Sequence, residues 1–217
     1  MKNDLDLQRD VFDELKWEPA VHSTNIGVIV KDGVVTLEGV VDSYPEKWAA
    51  ERAAKRVSGV KALALELEVK LPGSGQQTDA DIAEAAENAL KWDVLVPQDR
   101  IKVTVEKGFL TLEGQVDWQM ERSAAERAVL NLTGVMGIAN EITIKPSVAP
   151  SDIKAKIEAA LKRSAILDAQ QIKVMVDGGK VTLSGSVSSW AEWDEAESAA
   201  WAAPGVNEVK NLIAVTC

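Results

Sequence analysis

One short pattern of residues occurs three times in this chain. The segment DGVVTLEGVVDSY, which begins at Asp32, returns as KGFLTLEGQVDWQ from Lys107 and as GGKVTLSGSVSSW from Gly178. Between residues 33–69 and 108–144, 17 of 37 positions are identical without a gap. This degree of internal identity indicates duplication, so we expect three related units, each with its own small core.

The repeats also define the expected domain boundaries. We predict units at residues 1–72, 77–146 and 149–217, each close to the lower size at which a domain folds alone. The segments between them, LPGSGQQTD and KPSVAPSD, contain glycine, proline and serine, and we interpret them as linkers. The three units either pack about a pseudo-threefold axis or follow one another on these linkers, and the oligomeric state stays open.

Each unit has the same succession of apolar patterns. Apolar residues four apart predict a first amphipathic helix. Alternating residues on either side of a glycine-containing turn predict a β-hairpin, and an alanine-rich segment followed by a last alternating run predicts a second helix and a third strand. We therefore predict an α+β fold of three tandem α-β-β-α-β modules, each a three-stranded mixed sheet covered by two helices. The expected core positions of the first helices are Leu7, Val11, Leu15, Ile82, Ala86, Leu90, Ile153, Ile157 and Leu161.

Glycine recurs at two further positions in every unit. The first position lies inside the second strand, where glycine normally weakens pairing, and it predicts a bulge or a helix packed directly on the sheet. The second position follows the alanine-rich segment and predicts the end of the second helix. The glycines inside the strand are Gly39, Gly114 and Gly185. The glycines after the helix are Gly59, Gly134 and Gly205.

The start of the second helix carries capping signals. Ser43 with Glu46, and Ser189 with Glu192, have the spacing of a capping box. In the second unit a tryptophan stands in the serine position, so we expect Asp117 to cap that helix.

Charge and hydropathy exclude several classes of protein. The net charge of −10 opposes binding to phosphate backbones, so we expect no nucleic-acid partner. No stretch approaches the roughly 20 apolar residues of a membrane helix, and the start MKNDLDLQRD lacks an apolar signal segment. If Met1 is the natural start, these features predict a cytoplasmic protein that is at most peripheral to the membrane. The single cysteine, Cys217, has no partner for an internal disulfide.

Residues for catalysis or metal binding are scarce. His22 is the only histidine, which excludes a zinc site built from His and Cys, and we expect it at the surface or at a strand edge. The strand carboxylates Glu38 and Glu113 correspond to Ser184 in the third unit, which favours a solvated face over a proton carrier. We expect no enzyme, no cofactor and no metal site.

Tryptophan accounts for seven of the ten aromatic residues. Several lie where the second strand meets the second helix, and such amphipathic rings favour interfaces with lipid head groups or with protein partners. The candidate ligand-binding residues are Tyr44, Trp48, Trp118, Arg122, Trp190 and Trp193. The alternative is that these rings cover the helix starts and the seams between modules, while Trp92 and Trp201 belong to ordinary packing.

The repeated pattern resembles the BON domain, a family named for bacterial osmotic-shock and nodulation proteins. The residues that carry the resemblance are the strand motif V-x-L-x-G-x-V and the later Gly-Val pair: Val35, Leu37, Gly39 and Val41 with Gly59-Val60, Leu110, Leu112, Gly114 and Val116 with Gly134-Val135, and Val181, Leu183, Gly185 and Val187 with Gly205-Val206. The resemblance covers nearly the whole chain. It implies a tandem, non-enzymatic binding module that is transport-associated, binds phospholipid or envelope surfaces, and serves in osmotic or general stress in bacteria; some members bind potassium.

Two functional hypotheses follow. The first is a peripheral phospholipid-associated or envelope-associated stress protein, which predicts an exposed aromatic patch at Trp118 and Trp190 flanked by Arg122. The second is a soluble scaffold or potassium-responsive module that binds a protein partner, which predicts buried tryptophans.

Overall fold

All three repeats fold into the predicted order of elements. The computed structural model describes residues 3–73, 77–145, 152–164 and 171–216. Module 1 comprises α1 (Asp4–Trp17), β1 (Ile26–Lys31), β2 (Val34–Val41), α2 (Tyr44–Arg56) and β3 (Ala62–Val69). Module 2 comprises α3 (Asp79–Trp92), β4 (Ile101–Glu106), β5 (Phe109–Val116), α4 (Gln119–Leu130) and β6 (Gly137–Ile144). Module 3 comprises α5 (Ile153–Arg163), β7 (Ile172–Asp177), β8 (Lys180–Val187), α6 (Trp190–Trp201) and β9 (Glu208–Val215).

Each module contains one three-stranded sheet with its middle strand second in sequence. β1 pairs antiparallel with β2 through the hairpin, whereas β3 returns through α2 and pairs parallel with β2. The same mixed pattern occurs in modules 2 and 3. The predicted α+β class and the mixed sheet are therefore confirmed.

The apolar face of each sheet packs against both helices of its module. All nine expected first-helix positions are buried. The second helix contributes small residues, and Ala50, Ala53 and Ala54 of α2 have no exposed surface. Because alanine has a small side chain, this helix lies close to the strands. The buried apolar residues form three separate cores, one in each module.

The hairpin turns of modules 1 and 2 are hydrogen-bonded to the start of the first helix. Asp32 and Gly33 have φ of 54° and 82°, the left-handed values of a tight primed turn. The carboxylate of Asp4, at the start of α1, accepts hydrogen bonds from both turn amides at 2.8 and 3.1 Å. Asp79 does the same for the turn of module 2 at 2.8 and 2.9 Å. In each of these modules one carboxylate thus ties the start of the first helix to the hairpin turn, and we call this contact the clamp.

The strand glycines have a different cause from the one predicted. The register is continuous through Gly39, which pairs with Ile26 and with Leu67, so there is no bulge. A Cβ at Gly39 would collide with the backbone carbonyl of Asn25, and Gly114 and Gly185 face the corresponding carbonyls. Their φ values of 134°, 147° and 132° are also unfavourable for other residues. A close approach of backbone to backbone, and not a packed helix, requires glycine here.

Two details at the ends of the second helix also differ from expectation. Trp118, and not Asp117, is the N-cap of α4, and Glu121 accepts from the amides of both residues at 3.0 and 2.9 Å. Asp117 instead pairs with Arg100 at 2.6 Å. At the other end, Gly59 has φ of 107° but lies three residues beyond Arg56, so it shapes the turn that leads to β3 and does not end the helix itself.

Candidate functional site

The three modules contact one another through equivalent surfaces. The first residue of each second helix, at Tyr44, Gln119 or Trp190, faces the next module in the order 1 to 2, 2 to 3 and 3 to 1. We call these contacts seam 1–2, seam 2–3 and seam 3–1. A head-to-tail contact that closes after three steps relates the modules by an approximate threefold rotation. Of the two arrangements left open by the sequence, the structure has the pseudo-threefold one.

Seam 3–1 is built on Trp190. Its ring packs against the core of module 1, and its indole N–H donates to the carbonyl of Val60 at 3.0 Å. The Lys55 ammonium lies 5.4 Å from the centroid of the Trp190 ring. The ring of Trp193 packs against Trp190 in a tilted arrangement, with 5.5 Å between the ring centroids and 56° between the ring planes. Partial loss of solvent at this seam raises the pKa of Asp194 above its ordinary value, although the charges of nearby lysine and arginine oppose the shift.

Seam 1–2 is built on Tyr44 and Trp48. Tyr44 packs against the core of module 2, where burial raises the pKa of its phenol and the carboxylate of Glu126 adds to the shift. Trp48 is half-buried, and the guanidinium of Arg52 lies 4.6 Å from its ring centroid. A small cleft of about 270 Å³ remains between α2 and α4 at this seam.

Seam 2–3 is the most open of the three. Gln119 and Ser123 replace the two aromatic residues of seam 1–2, and Trp201 enters from the side of module 3. A cavity of about 640 Å³ lies between α4 and α6, with Trp118 and Met120 along its rim. Both rim residues have about half of their surface exposed.

The aromatic residues singled out from the sequence therefore lie at or beside the seams. Trp190 is engaged with module 1, whereas Trp118 lines the cavity of seam 2–3, so the two do not form the single exposed patch that the lipid hypothesis expected. Arg122 is half-buried and donates to the carbonyl of Asn140 at 3.1 Å. These positions match the alternative interpretation of seam-covering rings, and Trp201 packs as expected.

The most exposed tryptophans were missed by the sequence analysis. Trp17 and Trp92 end the first helices of modules 1 and 2, and they are 82% and 87% exposed. The expectation that Trp92 is ordinary packing is therefore wrong. Two exposed apolar residues follow it, Val94 and Leu95, at 95% and 42%. The signal available in the sequence was this group of apolar residues, interspersed with Lys91 and Asp93, after the last buried helix position, Leu90. We call Trp17, Trp92, Val94 and Leu95 the helix tips.

One cluster offers atoms suited to a metal ion. His22, Asp42 and Glu46 present ligand atoms within 4.8 Å of one another, and His22 is exposed as expected. Glu46, however, already accepts backbone N–H bonds from His22 at 2.7 Å and from Asp42 at 2.9 Å. Glu121 has the same role at the start of α4. Capping of the second helix accounts for the arrangement.

Within the described ranges, no helix is both long enough and apolar enough to cross a bilayer. Among the described residues, Trp17, Trp92 and Val94 are the most exposed large apolar side chains.

Comparison with known proteins gives three matches to one family. The family model described as BON domain matches residues 3–70, 78–146 and 150–217. The chain is 33% identical over 129 residues to osmotically-inducible protein Y of Escherichia coli (strain K12), covering 58% of this chain and 64% of that protein. It thus spans a little under two thirds of that relative. It is also 30% identical over 148 residues to the 21 kDa hemolysin of Actinobacillus pleuropneumoniae, covering 64% of this chain and 76% of that protein.

Among solved structures, CdsD, a structural protein of the type III secretion system of Chlamydia trachomatis, aligns with a TM-score of 0.27 and 15% identity. The alignment covers 97% of this chain and 92% of that one. A similarity this weak carries no argument about function.

Proposed function

Because this chain belongs to the BON-domain family, we propose that it is a non-enzymatic binding protein of the osmotic or general stress response that associates peripherally with phospholipid membranes. The name of the Escherichia coli relative, osmotically-inducible protein Y, supports the link to osmotic stress. The single observation that supports membrane association is the exposure of the helix tips.

Exposed tryptophan with neighbouring aliphatic residues is unusual on a protein surface. Burying a large apolar side chain contributes about 1.5–3 kcal/mol, so leaving Trp92 and Val94 in water gives up stabilisation that a lipid interface would restore. Tryptophan also favours the level of lipid head groups, where its ring is in apolar surroundings and its N–H meets water. The tips therefore fit a membrane surface better than bulk solvent.

The charges beside the tips fit an anionic surface. Each first helix has basic residues in its last turn: Lys16 in α1, Lys91 in α3, and Lys162 with Arg163 in α5. A lysine near a membrane of anionic lipid contributes about 1 kcal/mol. These local charges act within a Debye length, where they oppose the repulsion due to the net charge of −10.

The ring arrangement brings the three helix ends to one side of the protein. Under an approximate threefold rotation, equivalent residues lie at the same height along the axis, so the ends of α1, α3 and α5 face the same direction. Contacts that are weak singly then act together, because binding of one module raises the effective concentration of the others at the surface.

Vesicle flotation tests this proposal. We expect the protein to float with vesicles of phosphatidylglycerol more than with neutral vesicles, and less at high salt. Replacing Trp92 and Val94 together by serine should weaken binding about tenfold or more, as expected for the loss of two partly inserted apolar side chains. The matched control replaces Met175 and Leu212, which are 60% and 54% exposed on the strands of module 3, and should float as the unmodified protein does.

A protein that does not float with either lipid contradicts membrane association. If tryptophan emission then changes with potassium and not with sodium, the ion-responsive alternative is favoured. If the protein neither floats with vesicles nor changes its tryptophan emission with potassium, a protein partner is favoured.

A further inference from the structure

Seam 2–3 contains a cavity, and the equivalent space in seam 1–2 is largely filled by a side chain. The two cavities have volumes of about 640 and 270 Å³ and lie at equivalent positions of the second helices. In seam 1–2 the space is occupied by the indole of Trp48. The equivalent residue in α4, 75 positions further along, is Ser123. Seam 2–3 therefore lacks this indole, and the space remains open.

The residue that contacts that indole is retained. In α2, Arg52 lies over the ring of Trp48, with 4.6 Å between its guanidinium carbon and the ring centroid. Arg127 is its equivalent in α4 and lines the larger cavity. Arg127 makes no hydrogen bond or ion pair with any described residue. A guanidinium in this position can hold an aromatic face by a cation–π contact, but its own module supplies none.

The polar residues of the wall differ in what they offer a ligand. The side-chain nitrogen of Gln119 donates to the hydroxyl of Ser123 at 3.4 Å, and the side-chain oxygen of Gln119 is buried, so a molecule in the cavity does not reach it. Arg127 is the charged residue of the wall. Its guanidinium is therefore the group that a ligand ring would meet.

The remaining walls are apolar and aromatic. Trp118 and Met120 contribute from module 2, and Trp201 contributes from module 3. A volume of this size lies within the range of about 300–1,000 Å³ that is typical of small-molecule sites. Flat aromatic walls and one cation together select a flat aromatic ring.

We propose that the cavity of seam 2–3 binds a small planar aromatic molecule of about the size of indole. The ring takes the place that Trp48 has in seam 1–2, next to Arg127. This site is independent of the helix tips, so it holds whether or not the protein associates with membranes.

Nuclear magnetic resonance of the full chain labelled with ¹⁵N, titrated with unlabelled indole, tests the proposal. We expect saturable shifts of the side-chain N–H signals of Trp118 and Trp201, with a Kd below about 1 mM for a ligand of this size. Cyclohexanol, which has no aromatic face, should bind several-fold more weakly, as for the loss of one cation–π contact. No saturable shift up to several millimolar indole, or shifts at other tryptophans only, overturns the proposal.

Three variants locate the site. Ser123→Trp restores the indole of seam 1–2 and should weaken indole binding at least tenfold while the thermal midpoint stays the same or rises. The matched control Gln115→Trp adds an indole on the exposed face of β5 and should bind indole as the unmodified protein does. Arg127→Gln removes the cation, so the preference for indole over cyclohexanol should fall. Unchanged binding in a folded Ser123→Trp, or an unchanged preference for indole in Arg127→Gln, contradicts the assignment.

Discussion

Replacing Gly185 by alanine should severely destabilise module 3. Its φ of 132° lies in a region that costs a residue with a Cβ about 1–3 kcal/mol. The added Cβ would also lie closer than 3.0 Å to the carbonyl oxygen of Gln171, whereas ordinary contacts are near 3.5 Å. The start of β7 must therefore move away from β8.

The size of the effect follows from these two contributions. Displacing β7 weakens the hydrogen bonds of the neighbouring pair Lys173 and Ser184, at about 0.5–1.5 kcal/mol for each of two bonds. Together with the backbone conformation, the expected loss is about 2–6 kcal/mol, which is comparable with the whole stability of a small domain. Gly178→Ala in the same module is the matched control. Its φ is 59° and a Cβ there meets no atom within 4 Å, so we expect a loss of about 1 kcal/mol.

Hydrogen exchange read by mass spectrometry, combined with urea titration, resolves the three modules separately. We expect early exchange in β7–β9 of Gly185→Ala at urea concentrations where Gly178→Ala is still protected. If the two variants differ by less than about 1 kcal/mol in module 3, the collision with the carbonyl is not the reason for glycine at this position.

Three further predictions concern the clamp, a seam and a helix cap. Asp79→Asn should destabilise module 2 by about 1–2 kcal/mol in urea unfolding, because its carboxylate accepts charge-assisted bonds from both turn amides; an unchanged midpoint would contradict the clamp. Trp190→Phe should lose the bond to the carbonyl of Val60, at about 1 kcal/mol, while Trp190→Ala should separate modules 3 and 1 and raise the radius of gyration in X-ray scattering; an unchanged radius contradicts closure of the ring. Hydrogen bonds from Thr78 hold the pKa of Asp81 below its ordinary value of 3.8, so the stabilising effect of its carboxylate is complete above that pH and is lost as pH falls through the lowered pKa. Asp81→Ala should be less stable than the unmodified protein at pH 7, and this difference should shrink as pH falls; a difference that does not change with pH would contradict the argument.

The fold was predictable because each element has a local signal. Leu7, Val11 and Leu15 are four apart and all are buried, and the pair Asp32-Gly33 can adopt the left-handed turn that a two-residue hairpin needs. Three copies of each pattern removed the ambiguity of a single one. The glycine inside the second strand was recognised as required, but its reason was not, since the colliding carbonyl lies 14 residues earlier at Asn25.

The candidate sites were less predictable because they depend on how modules meet. Tyr44, Gln119 and Trp190 occupy one repeat position, but only the ring shows that this position contacts the next module. Trp92 was misjudged because it lies only two residues beyond the buried Leu90, and residues two apart on a helix do not share a face. The spacing of apolar residues shows which face of a helix is buried. It does not show at which residue along the helix the rest of the module ceases to cover that face.

Fusion of the three modules in one chain changes how their contacts can diverge. In an assembly of three identical copies, a single substitution alters every interface at once, so each change must be tolerated three times. Here the first residue of the second helix is Tyr44, Gln119 or Trp190, and a second repeat position at the seams holds Lys55, Leu130 or Trp201. Covalent linkage has allowed one interface to keep an open space while the other two hold the assembly closed.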